Sequence, residues 1–222
     1  MAQIDRGVER VDVPASQGTM LDSRPIVFIV DDDVAVREAL SLLIESAGWR
    51  PETFASGMEF LARKRLAVPS CLVLDVLLPA LSGHDLQKLL VDQSDLPIIF
   101  ISGQPDVPVA VSAMKAGAMD FFLKPLVSDA LLGAIGHALD RSRAALIAAD
   151  VMRNLRTRYD ALSRREREVM ALVVTGRLNK QVGGTLGISE ITVKAHRGQL
   201  MRKMQADSLP DLVEMAARLR HG

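Results

Sequence analysis

The sequence has few of the residues that mark several classes of protein. It contains one cysteine, which excludes a framework of disulfides and fits a reducing compartment. Its four histidines are scattered, which argues against a metal site built from cysteine and histidine. No run approaches the roughly 20 apolar residues that span a bilayer, and the first residues lack the apolar segment of a secretion signal. We therefore expect a cytoplasmic protein with no membrane partner.

Aromatic residues are also scarce, at 4%, but hydrophobic residues make up 49% of the chain, a globular composition. The net charge is zero, yet residues 25–127 carry −5 and residues 161–222 carry +5. A charge split of this kind suggests two domains with different partners, of which only the basic one suits a phosphate backbone. A chance difference between two solvated surfaces explains the charge alone equally well.

From Pro25 onward, short apolar runs alternate with helical patterns. Strands are predicted at 25–30, 50–54, 71–74, 97–101 and 120–123, and helices at 35–47, 57–65, 84–91, 107–116 and 128–137. Strands that alternate with helices favour a parallel sheet covered on both faces. The simplest match is an α/β, flavodoxin-like doubly wound fold with a five-stranded parallel sheet.

The remaining segments have other patterns. Residues 1–24 are polar and aperiodic, and are predicted to be a disordered arm. The α/β domain occupies residues 25–140, and residues 141–160 continue the helical pattern as a linker. Residues 161–222 are predicted to form an all-α, four-helix domain.

Polar residues stand at the carboxyl ends of the predicted strands, where doubly wound sheets bind ligands. Asp31 and Asp32 follow the first strand, Asp75 the third, Ser102 the fourth and Lys124 the fifth. Three carboxylates in one pocket repel one another unless a cation is present, and oxygen ligands alone favour Mg²⁺. A carboxylate beside Mg²⁺ can attack a phosphoryl group, while a lysine and a hydroxyl neutralise the charge on its oxygens. A solvated strand end explains any one of these residues, but not all five.

The α/β domain resembles the receiver domain of response regulators of the FixJ kind. The similar segments are VDDD (30–33), LVLDVLLPALSG (72–83), FISGQPDVP (100–108), AMKAGAMDF (113–121) and FLKP (122–125). The resemblance implies that Asp75 accepts a phosphoryl group from a sensor histidine kinase. It also implies that Asp31, Asp32 and Asp75 hold Mg²⁺ together with the backbone carbonyl of Leu77.

The same resemblance implies a switch made by Ser102 and Phe121, and a cis proline, Pro125, after the phosphate-binding Lys124. One position departs from the family pattern. Two residues after the phosphoacceptor the family often has a polar or basic side chain, and here it is Leu77. Because leucine cannot assist the water that attacks the phosphoryl group, the sequence does not predict the lifetime of the phosphorylated state.

The C-terminal segment has the layout of a helix-turn-helix, with a turn at 187–189 before a third helix at 190–204. Ser163 and Glu166 form the capping-box pattern that opens the first helix of this domain. On the third helix, the residues predicted to face the core are Ile191, Val193, Leu200 and Met204, with Ile191 at the margin. Those predicted on another face are Lys194, Arg197 and Met201. Lysine and arginine contact phosphates or guanine edges, although an ordinary solvated face is the alternative.

This segment resembles the DNA-binding domain of the LuxR/NarL class. The similar stretches are LSRREREVMALVVTGRLNKQV (162–182) and LGISEITVKAHRGQLMRKM (186–204). The residues that the resemblance places on or near DNA are Thr192, Lys194, His196 and Arg197, although His196 is equally well explained as a packing residue. Gly183 and Gly184 depart from the family's helix formers and, when exposed, cost roughly 1 kcal/mol each relative to alanine. Because of these two glycines, we expect a weakly stable domain. Gly198 replaces a longer side chain that often reads bases, so we also expect few direct base contacts.

Together these features predict a transcriptional regulator of a two-component system, activated by phosphorylation. Two phosphorylated copies would pair through the fourth helix and fifth strand and bind double-stranded DNA, with RNA polymerase as a further candidate partner. No enzyme activity is expected beyond Mg²⁺-dependent self-phosphorylation from phosphohistidine and slow self-dephosphorylation. Two alternatives stay open: a phosphatase, which would typically need an acid at Leu77, and an unphosphorylated assembly module.

Overall fold

The computed structural model of the protein describes residues 24–64, 66–91, 93, 95–104 and 106–221. The arm predicted at 1–24 lies outside these residues, except for Arg24. Strands and helices alternate through the first half of the chain: β1 (Ile26–Val30), α1 (Val34–Ser46), β2 (Arg50–Phe54), α2 (Gly57–Ala62), β3 (Ser70–Asp75), α3 (Gly83–Leu89), β4 (Ile98–Ser102), α4 (Val107–Lys115) and β5 (Asp120–Leu123). Helices follow: α5 (Ser128–Asp160), α6 (Arg164–Val173), α7 (Asn179–Leu186), α8 (Glu190–Met204) and α9 (Leu209–His221).

The strands form one parallel sheet in the order β2-β1-β3-β4-β5, so the predicted doubly wound fold is confirmed. The three central strands are buried along their whole length, which is why their sequences are continuous apolar runs. Alternate side chains point to opposite faces of the sheet. Phe28 and Phe100 share a core with α2, α3 and α4, whereas Ile29 and Val73 share a core with α1 and α5.

Helix α2 is shorter than predicted, because it ends at Ala62 rather than Arg65. The next residue, Arg63, is extended, and its backbone N–H bonds to the carbonyl of Phe60. The guanidinium of Arg63 lies 3.7 Å from the centre of the Phe60 ring and 4.3 Å from that of Phe28. These cation–π contacts accompany the end of the helix, and the one to Phe28 involves a tertiary neighbour that the local sequence does not reveal.

Helix α5 runs without interruption for 33 residues, through the segment predicted as a linker. Leu131 near its start packs against the sheet, and Leu155 near its end joins the core of the C-terminal helices. Between them, buried Ser142 accepts a hydrogen bond from the N–H of Ser70 at 2.9 Å and donates one to the carbonyl of Asp95 at 2.6 Å. One helix therefore belongs to both halves of the chain. Among the described helices, none has the length and hydrophobicity needed to cross a membrane.

Helices α6 to α9 pack around one apolar core, and the predicted capping box of Ser163 and Glu166 is present. Two predictions for α8 are wrong. Ile191 is 83% exposed, because it lies two residues before buried Val193, about 200° away around the helix. Met201 packs against the core rather than lying on another face, since it precedes buried Met204 by three residues, about 60° away around the helix.

The two glycines of α7 have different environments. Gly184 is exposed and has open space around its Cα, as predicted for a simple departure from helix formers. Gly183 is buried, and a Cβ there would lie 2.7 Å from the carbonyl oxygen of Ile188. That carbonyl belongs to the turn before α8, so Gly183 permits the close approach of helix and turn. The expected cost of an exposed glycine therefore applies to Gly184 alone.

Candidate functional site

Three carboxylates meet at the carboxyl edge of the sheet, as the strand ends predict. Asp31 directly follows β1, Asp32 is the next residue, and Asp75 is the last residue of β3. One oxygen from each of these residues lies within 4.8 Å of the others. Asp31 and Asp75 are buried, whereas Asp32 is exposed. The cluster therefore has a closed interior and one open side.

Lys124 reaches this cluster from the end of β5. Its Nζ lies 2.7 Å from Asp31 Oδ2 and 2.6 Å from Asp75 Oδ2, and the peptide bond to Pro125 is cis, as the resemblance implied. Partial burial opposes the charge on Lys124, but the two carboxylates outweigh it and hold its pKa above the usual range. The lysine is therefore a permanent cation in the pocket.

Asp31 is fully buried in the pocket. Burial raises its pKa above the usual range, and the hydrogen bond from Lys124 offsets this only in part. The N–H of Asp33 donates to Asp31 Oδ1 at 2.9 Å, and Arg37 donates to the Asp31 backbone carbonyl at 2.7 Å. Sequence reasoning missed Arg37, because a side chain that bonds to a backbone carbonyl leaves no signal in the sequence.

The phosphoacceptor candidate is held by its own backbone neighbours. The N–H of Leu77 donates to Asp75 Oδ1 at 2.9 Å, while the Leu77 side chain is exposed. Gly83, at the start of α3, lies so close to Asp75 that a Cβ there would collide with the carbonyl oxygen of Asp75. Sequence reasoning missed this contact, for which a glycine directly after the N-cap Ser82 is a local signal. Helix α3 thus begins directly against the backbone of Asp75.

The two predicted switch residues lie on neighbouring strands. Ser102 is buried at the end of β4, and its hydroxyl donates to the carbonyl of Gln104 at 3.0 Å and accepts from the Gln104 N–H at 3.2 Å. The Phe121 ring is partly buried against the core, with its centroid 6.4 Å from that of Phe100. The hydroxyl of Ser102 is therefore engaged with its own loop in this structure.

The residues predicted to contact DNA occupy α8 in different ways. Thr192 and Lys194 are exposed, and the Thr192 hydroxyl lies 2.8 Å from that of Ser189, the N-cap. Arg197 and His196 are half-buried. Arg197 donates to Asn179 Oδ1 at 3.1 Å, a contact between α8 and α7 that the sequence did not suggest. Lys194 is thus free to reach a ligand, while Arg197 is oriented by a neighbouring helix.

An ion pair between exposed Lys203 and buried Glu166 braces the other end of α8. Lys203 Nζ lies 2.7 Å from Glu166 Oε2 and 3.2 Å from the carbonyl of Ala161. Burial opposes the charge of Glu166, but the bonds from Lys203 and Ser163 outweigh it and hold its pKa below the usual range. Lys203, which adds to the basic end of the predicted DNA-facing helix, is therefore occupied in holding α8 against α6.

Comparison with known proteins matches both halves of the chain. Residues 27–136 match the family described as response regulator receiver domain, and residues 160–216 match bacterial regulatory proteins, luxR family. The response regulator protein TodT of Pseudomonas putida is 46% identical over 202 residues, which cover 90% of this chain and 89% of TodT. The transcriptional regulatory protein FixJ of Rhizobium meliloti is 41% identical over 191 residues, covering 86% and 94%.

Solved structures agree with these matches. The response regulator StyR superposes with a TM-score of 0.79 at 42% identity, covering 88% of this chain and 99% of StyR. The chain therefore belongs to the response regulators that join a receiver domain to a luxR-type DNA-binding domain. It is a transcriptional regulator of a two-component system rather than an enzyme of the phosphatase kind. A receiver domain implies a histidine kinase as partner, and a luxR-type domain implies DNA binding.

Proposed function

We propose that Asp75 accepts a phosphoryl group from the phosphohistidine of a sensor kinase. The observation that carries this proposal is the convergence of Asp31, Asp32, Asp75 and Lys124 at one edge of the sheet. A carboxylate oxygen of Asp75 attacks phosphorus, the P–N bond of the donor breaks, and the electron pair leaves on the imidazole nitrogen, which takes up a proton. Lys124, already 2.6 Å from Asp75, then pairs with the phosphoryl oxygens.

The donor set of the pocket fits Mg²⁺. Asp31, Asp32 and Asp75 supply oxygen ligands without histidine or cysteine, and exposed Asp32 leaves a side for water or phosphate. The backbone carbonyl of Leu77 is the remaining proposed ligand, held near the pocket by the bond from its N–H to Asp75. When bound, Mg²⁺ neutralises the carboxylates and polarises the phosphoryl group.

Phosphorylation gives Ser102 a competing acceptor. Its hydroxyl bonds to Gln104 in this structure, and a phosphoryl oxygen on Asp75 is a stronger, charged acceptor. When Ser102 moves towards the phosphate, the loop that precedes α4 moves with it, and Phe121 on the adjacent strand repacks. Because Phe121 has no hydroxyl, its two states differ in packing and leave no donor unpaired.

The surface next to this loop is suited to pairing with a second copy. Val107, Val111 and Met114 lie at helical spacing on the outer side of α4, and Leu123 of β5 is also exposed. An exposed apolar patch of this kind marks an interaction site. We propose that phosphorylation remodels this patch and thereby favours a two-fold dimer, with two DNA-binding domains on paired half-sites.

A phosphate mimic tests this proposal. Beryllofluoride is expected to raise the dimer association constant, by roughly 5-fold to 150-fold if the coupling has an ordinary magnitude. Ser102→Ala should blunt the rise without preventing labelling of Asp75 by acetyl phosphate, because it removes only the relay. Sedimentation velocity with and without the mimic measures the dimer fraction of the wild type and of Ser102→Ala. A dimer of equal strength in the two conditions would show that the pocket does not control assembly.

The DNA-binding surface is proposed to be the outer face of α8, with Thr192, Lys194, His196 and Arg197. Exposed Lys194 is suited to a phosphate, which any sequence presents. Arg197 is held by Asn179 in a fixed orientation, which suits a directional contact to a base edge or phosphate. Gly198 offers no side chain at the next position, so direct readout rests on few residues.

Gel-shift titrations at several salt concentrations distinguish these two contacts. Lys194→Ala should weaken binding to all sequences and reduce the salt slope by about 1. Arg197→Ala should cost about 1–3 kcal/mol and relax specificity if it contacts a base. Lys64→Ala removes an equal charge from the receiver and serves as the control, which should leave binding unchanged. Unchanged affinity in both α8 variants would place the DNA surface elsewhere.

A further inference from the structure

Helices α3 and α4 are joined by a buried polar contact that the proposed switch does not use. The side chain of Gln87 on α3 is 4% exposed, and its Nε2 donates to the backbone carbonyl of Ala113 on α4 at 3.1 Å. Its Oε1 is also buried and has no hydrogen-bond partner among the described residues. Burying a glutamine in an apolar interface costs more free energy than burying a leucine unless its polar atoms are hydrogen-bonded. The contact therefore calls for a role beyond packing.

The carbonyl of Ala113 joins several parts of the switch region. It accepts the N–H of Ala118 at 3.0 Å as well as the amide of Gln87. Ala118 belongs to the turn that leads from α4 into β5, the strand of Phe121. One oxygen therefore connects α3, the C-terminal end of α4 and the entry to β5.

The opposite end of α3 lies at the phosphoacceptor. Gly83 begins α3 in direct contact with the backbone of Asp75, and its N–H bonds to the carbonyl of Val76 at 3.1 Å. The position of Gln87, one turn further along, thus depends on the backbone of Asp75. A route from Asp75 to α4 exists through α3 alone, separate from the route through Ser102.

We propose that Gln87 is a positioning residue that holds α4 in the arrangement seen here, and that activation releases its bond to Ala113. The inference rests on the proposed function, because activation is taken to move α4. A cavity of about 190 Å³, lined in part by Gln87, Ala116 and Gly117, gives the C-terminal end of α4 room to shift. A bond made in one state only biases the equilibrium between the two states. The bond of Gln87 therefore disfavours the active state before phosphorylation.

The test uses the full chain with Gln87→Met, which keeps the length of the side chain and removes the donor. Lys88→Met is the matched control, since Lys88 lies on the same helix, is exposed and pairs with Asp85. Without a mimic, the dimer association constant of Gln87→Met should rise about twofold to tenfold, the factor that one net hydrogen bond supplies. With beryllofluoride it should equal that of the wild type. Gln87→Leu, which also lacks the donor and leaves no buried polar atom, serves if the methionine variant is unstable.

Hydrogen exchange gives a readout that does not depend on dimerisation. The amide of Ala118 bonds to the carbonyl that Gln87 holds, so it should exchange faster in Gln87→Met than in Lys88→Met at equal unfolding free energy. If Gln87 has only a structural role, Gln87→Met should lower the stability but leave two quantities unchanged: the dimer association constant and the exchange rate of Ala118 relative to Lys88→Met. That result would overturn the inference. If beryllofluoride does not change the dimer association constant of the wild type, the proposed control of dimerisation is wrong. The exchange rate of Ala118 still decides the role of Gln87 in that case.

Discussion

Asp75→Asn is expected to abolish labelling of the protein by acetyl phosphate in the presence of Mg²⁺. The amide lacks the anionic oxygen that attacks phosphorus, while its size and shape match those of the carboxylate. The fold should persist, because the amide oxygen can still accept the N–H of Leu77 and one of three repelling charges disappears. Labelling is measured by intact mass and by acid lability, since an acyl phosphate hydrolyses readily.

Asp85→Asn is the matched control for this experiment. Asp85 is exposed on α3 and pairs with Lys88 rather than with the pocket, so its loss should leave labelling intact. Hydrogen bonds from Lys88 and Ser82 lower the pKa of Asp85, and neither of these residues belongs to the pocket. Labelling of Asp75→Asn that is acid-stable or independent of Mg²⁺ would assign the phosphoacceptor to another residue.

Alanine at the two glycines of α7 is expected to have opposite effects on the C-terminal domain. Gly183→Ala places a Cβ 2.7 Å from the backbone oxygen of Ile188, which must move together with the turn. The cost is about 1–3 kcal/mol or more, because backbone rather than a flexible side chain has to shift. Gly184→Ala meets open space and should stabilise the domain by roughly 0.5–1 kcal/mol.

The measurement is urea unfolding of the full chain followed by far-UV circular dichroism. The single tryptophan, Trp49, packs against the receiver core, so its fluorescence reports the other domain and should be unchanged in both variants. DNA affinity should fall with Gly183→Ala, since the displaced turn leads directly into α8. If Gly184→Ala lowers the free energy of unfolding and Gly183→Ala raises it, the turn packs differently against α7.

The pocket was predictable from the sequence because its residues follow recognisable strands. Once the parallel sheet is inferred from apolar runs, Asp31, Asp75 and Lys124 must meet at one edge. The partners of these residues were not predictable in the same way. Arg37 bonds to a backbone carbonyl, and Gln104 to a serine hydroxyl, and neither contact leaves a pattern in composition or spacing.

On α8 the limits of sequence reasoning have a geometric cause. Helical periodicity identifies a buried stripe, but the width of that stripe depends on which helices cover it. Met201 packs against the core of the C-terminal helices, whereas Ile191 is exposed. The sequence predicts that Gly183 costs helix stability, because only the folded turn shows that the carbonyl of Ile188 occupies the space beside it.

The sequence by itself determined the order of strands and helices, the convergence of acidic residues and the separation of an acidic from a basic half. These properties follow from hydrophobic periodicity and chain connectivity, which act locally or through a few topological rules. Tertiary structure alone decided that Gln87 reaches Ala113, that Asn179 orients Arg197 and that Gly183 admits the carbonyl of Ile188. Such contacts join segments whose separation in space is set by how helices pack, and packing depends on the volumes of all the side chains between them.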